Sequence, residues 1–139
     1  MIVLDTNVIS EGFRVRPDDV VRDWLDRQTP SDLFLCAPVL AELRYGVERL
    51  PAGRRRTELD RFVSNAEQDL FANRLLPIDR EAAHAFGRIV AKRAGMGRPI
   101  MPMDGMIAAI ALANGMSIAT RDTDDFTGLG IDLVNPFES

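Results

Sequence analysis

The sequence is short of most residues that would commit it to an obvious chemistry. Cys36 is its only cysteine, so no internal disulfide can form. It sits in the apolar run Leu33-Phe34-Leu35-Cys36, where a buried, inert thiol is expected. His84 is the only histidine, which leaves histidine-based acid–base catalysis poorly supported. A surface or half-buried helix position is expected for it. No apolar run approaches the roughly 20 residues of a membrane span. Only Ile2, Val3 and Leu4 separate Met1 from an acidic residue, and no basic residue precedes them, so no secretory leader is expected. The expected location is the cytoplasm. Repeats, low-complexity tracts and linkers are missing too, and 139 residues fit one domain, taken as residues 1–139.

Lysine is scarce as well. Lys92 is the only one, and every other basic residue is arginine. Arginine grips phosphates bidentately and stacks on bases, although a GC-rich genome produces the same bias. The net charge of −4 argues against a nucleic-acid binder driven by overall basicity. Charge distribution matters more than the sum, so a local basic surface stays open. At 46% hydrophobic and 27% charged, the composition is that of a globular domain large enough to bury a core without staples.

What is present is organised around Met1 to Gly12. Ile2, Val3 and Leu4 read as a buried strand stopped by Asp5-Thr6-Asn7, and Val8-Ile9 open a helix. Asp5 therefore stands at the carboxyl end of a strand, the edge where open α/β sheets bind ligands. It is either a helix cap, which needs no function, or a cation ligand, which needs other carboxylates nearby.

Further along, Asp18 or Asp19 caps a helix carrying Val20, Val21, Trp24 and Leu25. Leu33 to Ala37 is a second strand. Helices over Val39 to Leu50 and Arg54 to Ala72 form a hairpin broken at Pro51-Ala52-Gly53. Leu75 to Ile78 is a third strand, and Asp79 caps a helix to Ala94 with Ala82, Ala83, Phe86, Ile89 and Val90 inward. A Gly- and Pro-rich loop leads to a helix over Met103 to Asn114. Ser117 to Thr120 is a fourth strand, Arg121 to Gly130 a loop with room for one helical turn, and Ile131 to Val134 a final edge strand. Alternating strands and helices imply an α/β three-layer sandwich around a mostly parallel sheet of four or five strands.

Three more acids can reach the edge that Asp5 occupies. Glu42 lies one turn into the helix after the second strand, with Pro38 and Gly46 at i−4 and i+4, so no helical salt bridge accounts for it. Asp104 falls in the first turn of its helix, where it can also serve the helix dipole. Asp122 follows the fourth strand, with Asp124 and Asp125 competing for its role. Crowded carboxylates repel unless a cation joins them. An oxygen-only donor set suits Mg²⁺ or Mn²⁺ rather than zinc. Such ions activate water and stabilise the leaving oxygen of a phosphodiester, which is nuclease chemistry.

Four stretches carry a family resemblance: LDTNVISE at 4–11, PVLAELRYGVERL at 38–50, PMDGMIAAIALANG at 102–115 and IATRDTDDF at 118–126. In order and spacing they resemble the PIN-domain ribonucleases, and specifically the VapC-type toxins of bacterial toxin–antitoxin pairs. The closing Asp125-Phe126 and Asn135-Pro136-Phe137 resemble the FitB-like branch. The resemblance implies a PIN-type fold and an endoribonuclease dependent on Mg²⁺ or Mn²⁺. It carries the metal-binding and catalytic roles to Asp5, Glu42, Asp104 and Asp122, with Glu42 ligating directly or through water. It gives Asn7 and Thr120 the role of orienting those carboxylates. It also implies RNA as substrate, tRNA among the candidates. The expected partner is a VapB-type antitoxin with a DNA-binding part and a disordered tail whose arginine could plug the acidic site. A homodimer within the toxin–antitoxin complex is expected too, with Tyr45 and Phe71 exposed on the helical hairpin. Phosphate contacts are expected from Arg14, Arg16, Arg44 and Arg121; the Arg54-Arg55-Arg56 run reads at least equally well as a solvated helix start.

Other strand-end aspartate folds fit less well. A haloacid-dehalogenase-type phosphatase needs an Asp where Asn7 stands, and a lysine after a late strand. A receiver domain also needs that late lysine. A dinucleotide-binding domain needs a glycine-rich first turn, which Asp5-Thr6-Asn7 is not. A non-catalytic, PIN-like binding module remains the alternative, and intact acids at all four positions argue against it.

Overall fold

The computed structural model describes residues 1–138. Five short parallel strands make one sheet in the order β3-β2-β1-β4-β5, and six helices accompany it. The strands are β1 (Ile2–Leu4), β2 (Leu33–Cys36), β3 (Leu75–Leu76), β4 (Ser117–Ala119) and β5 (Leu133–Val134). The helices are α1 (Thr6–Glu11), α2 (Asp19–Arg27), α3 (Ala37–Glu48), α4 (Arg54–Asn65), α5 (Arg80–Gly95) and α6 (Pro102–Ala113). Among the described residues, no helix is long and apolar enough to cross a membrane.

The sheet sequence is apolar because the central strands are buried: Val3, Leu35, Cys36, Ile118 and Ala119 have no exposed surface. β1 runs in register with both neighbours, Val3 opposite Phe34 of β2 and Ile118 of β4. The chain adds β2 and β3 on one side of β1, then crosses to place β4 on the other. The β1/β4 boundary is therefore the topological switch point, where the carboxyl ends of an open parallel sheet leave a crevice. Asp5 N–H donates to the Ala119 carbonyl at 2.9 Å, which brings the end of β1 beside Thr120.

The elements expected from sequence are found, with some corrections. α4 ends at Asn65 and passes into a wider helical turn at Ala66–Leu70. That turn closes with Phe71 N–H donating to the Ala66 carbonyl at 2.9 Å, and Phe71 becomes buried rather than exposed on the hairpin. On α5 the inward residue is Ala85, whereas Ala83 faces solvent with His84. α6 packs closely on α5: a Cβ on Gly105 would stand 3.1 Å from Phe86 Cε2, so glycine sets that approach. Cys36 is buried as expected, and burial pushes its thiol up to about 12.

One buried cation fixes the loops that lead to the site. Arg93 on α5 is almost fully covered. Its Nε donates to the Arg98 carbonyl at 2.7 Å, and its Nη1 to the Asp125 and Thr127 carbonyls at 2.6 and 3.3 Å. It thus ties the α5–α6 loop, which delivers Asp104, to the loop after β4, which delivers Asp122. Arg98 reinforces the link by donating to Thr127 Oγ1 and the Asp124 carbonyl. Replacing Arg93 with Met keeps most of its volume but removes the charged donor to three part-buried carbonyls, and hydrogen bonds to a charged group contribute about 1.5–3 kcal/mol each. Urea unfolding of Arg93→Met should therefore show a loss of roughly 2–4 kcal/mol; an unchanged midpoint would contradict this role.

Candidate metal centre

Asp5 is the best-ordered part of the crevice chemically. It is buried, yet both carboxylate oxygens are occupied: Thr6 N–H donates to Oδ1 at 2.8 Å and Thr120 Oγ1 to Oδ2 at 2.8 Å. The same Thr120 oxygen accepts from Asp122 N–H at 3.0 Å, so the hydroxyl bridges the ends of β1 and β4. Asp5 is an N-cap as well, which makes the two sequence readings compatible rather than exclusive. Burial raises its carboxyl above the ordinary range. The Thr120 and Thr6 hydrogen bonds work against that rise, and the charges of Glu42 and Asp122 add to it.

The other acids arrive from three elements. Glu42, half-buried on α3, accepts from Thr6 Oγ1 at 2.8 Å. Asp122 accepts from Asn7 Nδ2 at 3.0 Å, while Asn7 Oδ1 accepts from Arg121 N–H at 3.3 Å. Asp104 occupies the first turn of α6. Its carboxyl is pushed up to about 6, first by burial and then by the charges of Asp5, Asp125, Glu42 and Asp122. Asp125 thus bears on Asp104, and Asp122 bears on both Asp104 and Asp5 and accepts from Asn7.

The donor chemistry fits a hard divalent cation. All four acids supply oxygen only, and each oxygen of Asp5 that accepts one hydrogen bond keeps a further lone pair. Among the described residues, no three His, Cys, Asp or Glu side chains close into a ready-made cage. An open arrangement suits Mg²⁺-like ions, which keep several waters and need only one or two carboxylates, better than zinc.

The arginines divide. Arg44 is taken up by Asp60 and Ser64 of α4, with Glu67 at 4.0 Å, so it is a strut between α3 and α4 rather than a free phosphate contact. Arg14 lies 3.5 Å from Glu11, and Arg121 3.9 Å from the same carboxylate with its guanidinium over Phe137 at 4.0 Å. Arg16 is exposed. Sequence reasoning missed Glu11 as a fixture: it is buried, accepts from Asp18 N–H at 2.8 Å and anchors both arginines. Its signal was its position three residues after buried Val8, on the same helix face.

A parallel sheet with acids gathered at its switch point defines a family. Residues 2–130 match the PIN domain model, and the chain belongs to the PIN-domain family. It is 43% identical to the VapC ribonuclease Y4jK of Sinorhizobium fredii, covering 99% of each protein. It is 39% identical to Toxin FitB of Neisseria gonorrhoeae, again covering 99% of each. Among solved structures it is similar to FitAB bound to an IR36 DNA fragment, with a TM-score of 0.94 and 38% identity over 100% of this chain and 97% of that one.

The folded protein holds the Asp104 proton up to about pH 6, whereas the unfolded chain releases it near 3.8. Its contribution to stability is present below about pH 4 and lost as pH rises through about 6. Asn at this position does not titrate. In EDTA, the melting temperature of Asp104→Asn relative to wild type should therefore rise by a few degrees between pH 4.5 and pH 7.5. A constant difference across that window would contradict the raised Asp104 carboxyl.

Proposed function

We propose that this protein is the toxin of a VapBC-type toxin–antitoxin pair, an endoribonuclease that uses a divalent metal ion, Mg²⁺ or Mn²⁺, to hydrolyse RNA phosphodiester bonds. The single observation that carries the proposal is the buried Asp5 at the β1/β4 switch point, with Glu42, Asp104 and Asp122 all close enough to raise or share its charge. The likeness to a VapC ribonuclease and to Toxin FitB over nearly the whole chain supports it. When bound, such an ion offsets charge developing on the phosphoryl oxygens and acidifies water. Asp5, Asp104 and Asp122 hold the ion, and Glu42 does so directly or through water. Thr120 and Asn7 fix the orientation of Asp5 and Asp122.

The whole chain is proposed to work as one PIN-type unit in the cytoplasm, on a structured RNA. tRNA is the class implied by the likeness to VapC-type enzymes. Its cognate partner is a VapB-type antitoxin with a DNA-binding part, in keeping with the DNA-bound complex to which the chain is similar. A homodimer within that complex is proposed, with Tyr45, 68% exposed on α3, among its surface apolar residues.

The test is sequencing of RNA ends after induced expression of wild type beside Asp5→Asn. Discrete new ends should appear with wild type and vanish with the variant, because the change removes a charge and keeps the volume. Thr120→Val should cost about 10–100-fold in activity by loosening Asp5. Asp122→Asn should reduce cleavage less than Asp5→Asn, and Asp125→Asn little. Cleavage as sensitive to Asp125→Asn as to Asp5→Asn would move the fourth role to Asp125, and metal-dependent cleavage by Asp5→Asn would remove the central assignment.

A further inference from the structure

Beside the acidic crevice lies a cleft of about 350 Å³ between α1, α3 and α4. Thr6 and Glu42 form the wall it shares with the crevice, Leu43, Leu59 and Phe62 line its apolar side, and Arg49 and Arg55 stand on its rim. A volume of several hundred Å³ with an apolar side and charged groups at its edges is that of a small-ligand seat.

The three successive arginines that begin α4 differ in their partners. In the run that begins α4, Arg54 pairs with Glu58 at 2.8 Å and Arg56 with Glu48 at 2.9 Å. Arg55 alone has no acid partner among the described residues; its guanidinium lies over Phe13, 4.4 Å from the ring centre. Arg49, at the end of α3, is likewise in no ion pair or side-chain hydrogen bond among the described residues. Arg14, which also lines the cleft and lies 3.5 Å from Glu11, borders a second, shallower depression with Arg16 and Arg55. Arg49 and Arg55 thus stand without an acid partner, among the described residues, at the rim of a cleft whose inner wall is Glu42.

Gly46 supplies an independent observation. It sits inside α3, where glycine costs helix stability, with ordinary helical neighbours on both sides. A Cβ there would meet nothing within 4 Å, so packing does not require glycine. It lines the cleft, and a bulky side chain there would project into it.

We propose that this cleft seats the nucleotide next to the one whose phosphodiester is cut. An unpaired base enters against Leu43, Leu59 and Phe62, and its phosphate lies between Arg49 and Arg55. The inference rests on the ribonuclease reading above and assigns residues to the nucleotide flanking the cleaved bond. A base held in a duplex cannot leave the stack to enter a pocket.

The test uses a fluorescein-labelled single-stranded RNA octamer and its duplexed form, titrated by anisotropy in EDTA, with intact RNA confirmed afterwards. Wild type should bind the single strand more tightly than the duplex. Arg49→Ala and Arg55→Ala should each weaken single-strand binding about 5–10-fold and flatten the slope of log Kd against log salt by about 0.7. Arg54→Ala should change neither. Gly46→Leu should weaken single-strand binding to a similar extent while its melting temperature stays level or rises, which separates blocking the cleft from damaging the fold. In cleavage assays the same three variants should raise KM with kcat nearly unchanged.

The proposal is overturned if wild type fails to bind the octamer or the variants bind as wild type does. It is also overturned if single strand and duplex weaken equally, or if the variants keep RNA but lose a co-purifying protein partner. Wild type that binds the octamer through Arg49 and Arg55 but cuts no RNA would sink the ribonuclease reading and leave the cleft standing. Wild type that cuts RNA with variants of unchanged KM would sink the cleft alone.

Discussion

The structure depends on keeping a buried carboxylate in one place. Asp5 is only 6% exposed, and an ionised group at that depth costs several kcal/mol unless it is hydrogen-bonded or joined by a cation. Two donors meet part of that cost. Thr6 contributes its N–H because a helix starts at that residue, and Thr120 its hydroxyl because β4 pairs with β1 in a register that ends both strands together. What the donors do not offset is the repulsion from Glu42, Asp104 and Asp122. The fold stores that repulsion, and a divalent ion bound as proposed would relieve it.

Holding these acids at one sheet edge needs a rigid frame, and Asn7, Glu11 and Arg93 are its fixtures. Asn7 holds Asp122 with one end of its amide and the Arg121 backbone with the other. Buried Glu11 fixes Arg121 and the loop after α1, and buried Arg93 fixes the loops carrying Asp104 and Asp122. Each fixture sits one layer behind the acids. At the surface, Arg22, Arg44, Arg54 and Arg56 pair with nearby acids, whereas Arg49 and Arg55, at the rim of the cleft beside the crevice, do not among the described residues.

Much of this was legible in the sequence, for physical reasons that differ by residue. The strands were legible because buried parallel strands are short apolar runs stopped by polar caps, as at Leu4-Asp5 and Ala119-Thr120. Asp5, Glu42, Asp104 and Asp122 were legible because each stands within a turn of an element boundary, and boundaries at one sheet edge converge. The end of α4 was not, since the shift to a wider turn at Ala66 leaves the apolar pattern continuous while rotating Phe71 inward. Arg93 and Glu11 were also hidden. A buried charge whose partners are backbone carbonyls or amides from distant loops has no local sequence signature. Arg55 was ambiguous for a related reason: three successive arginines look alike, and only the positions of Glu48 and Glu58 decide which two are neutralised.

The central claim is that Asp5 anchors a divalent cation at the β1/β4 switch point. Crystals grown or soaked with Mn²⁺ and recorded near the manganese absorption edge test it most directly. The account predicts an anomalous peak within coordination distance of an Asp5 oxygen and of at least one of Asp104, Asp122 or Glu42, with water completing the shell. A well-occupied peak elsewhere on the protein with none at Asp5, or an unchanged Asp5 environment at saturating Mn²⁺, would contradict it.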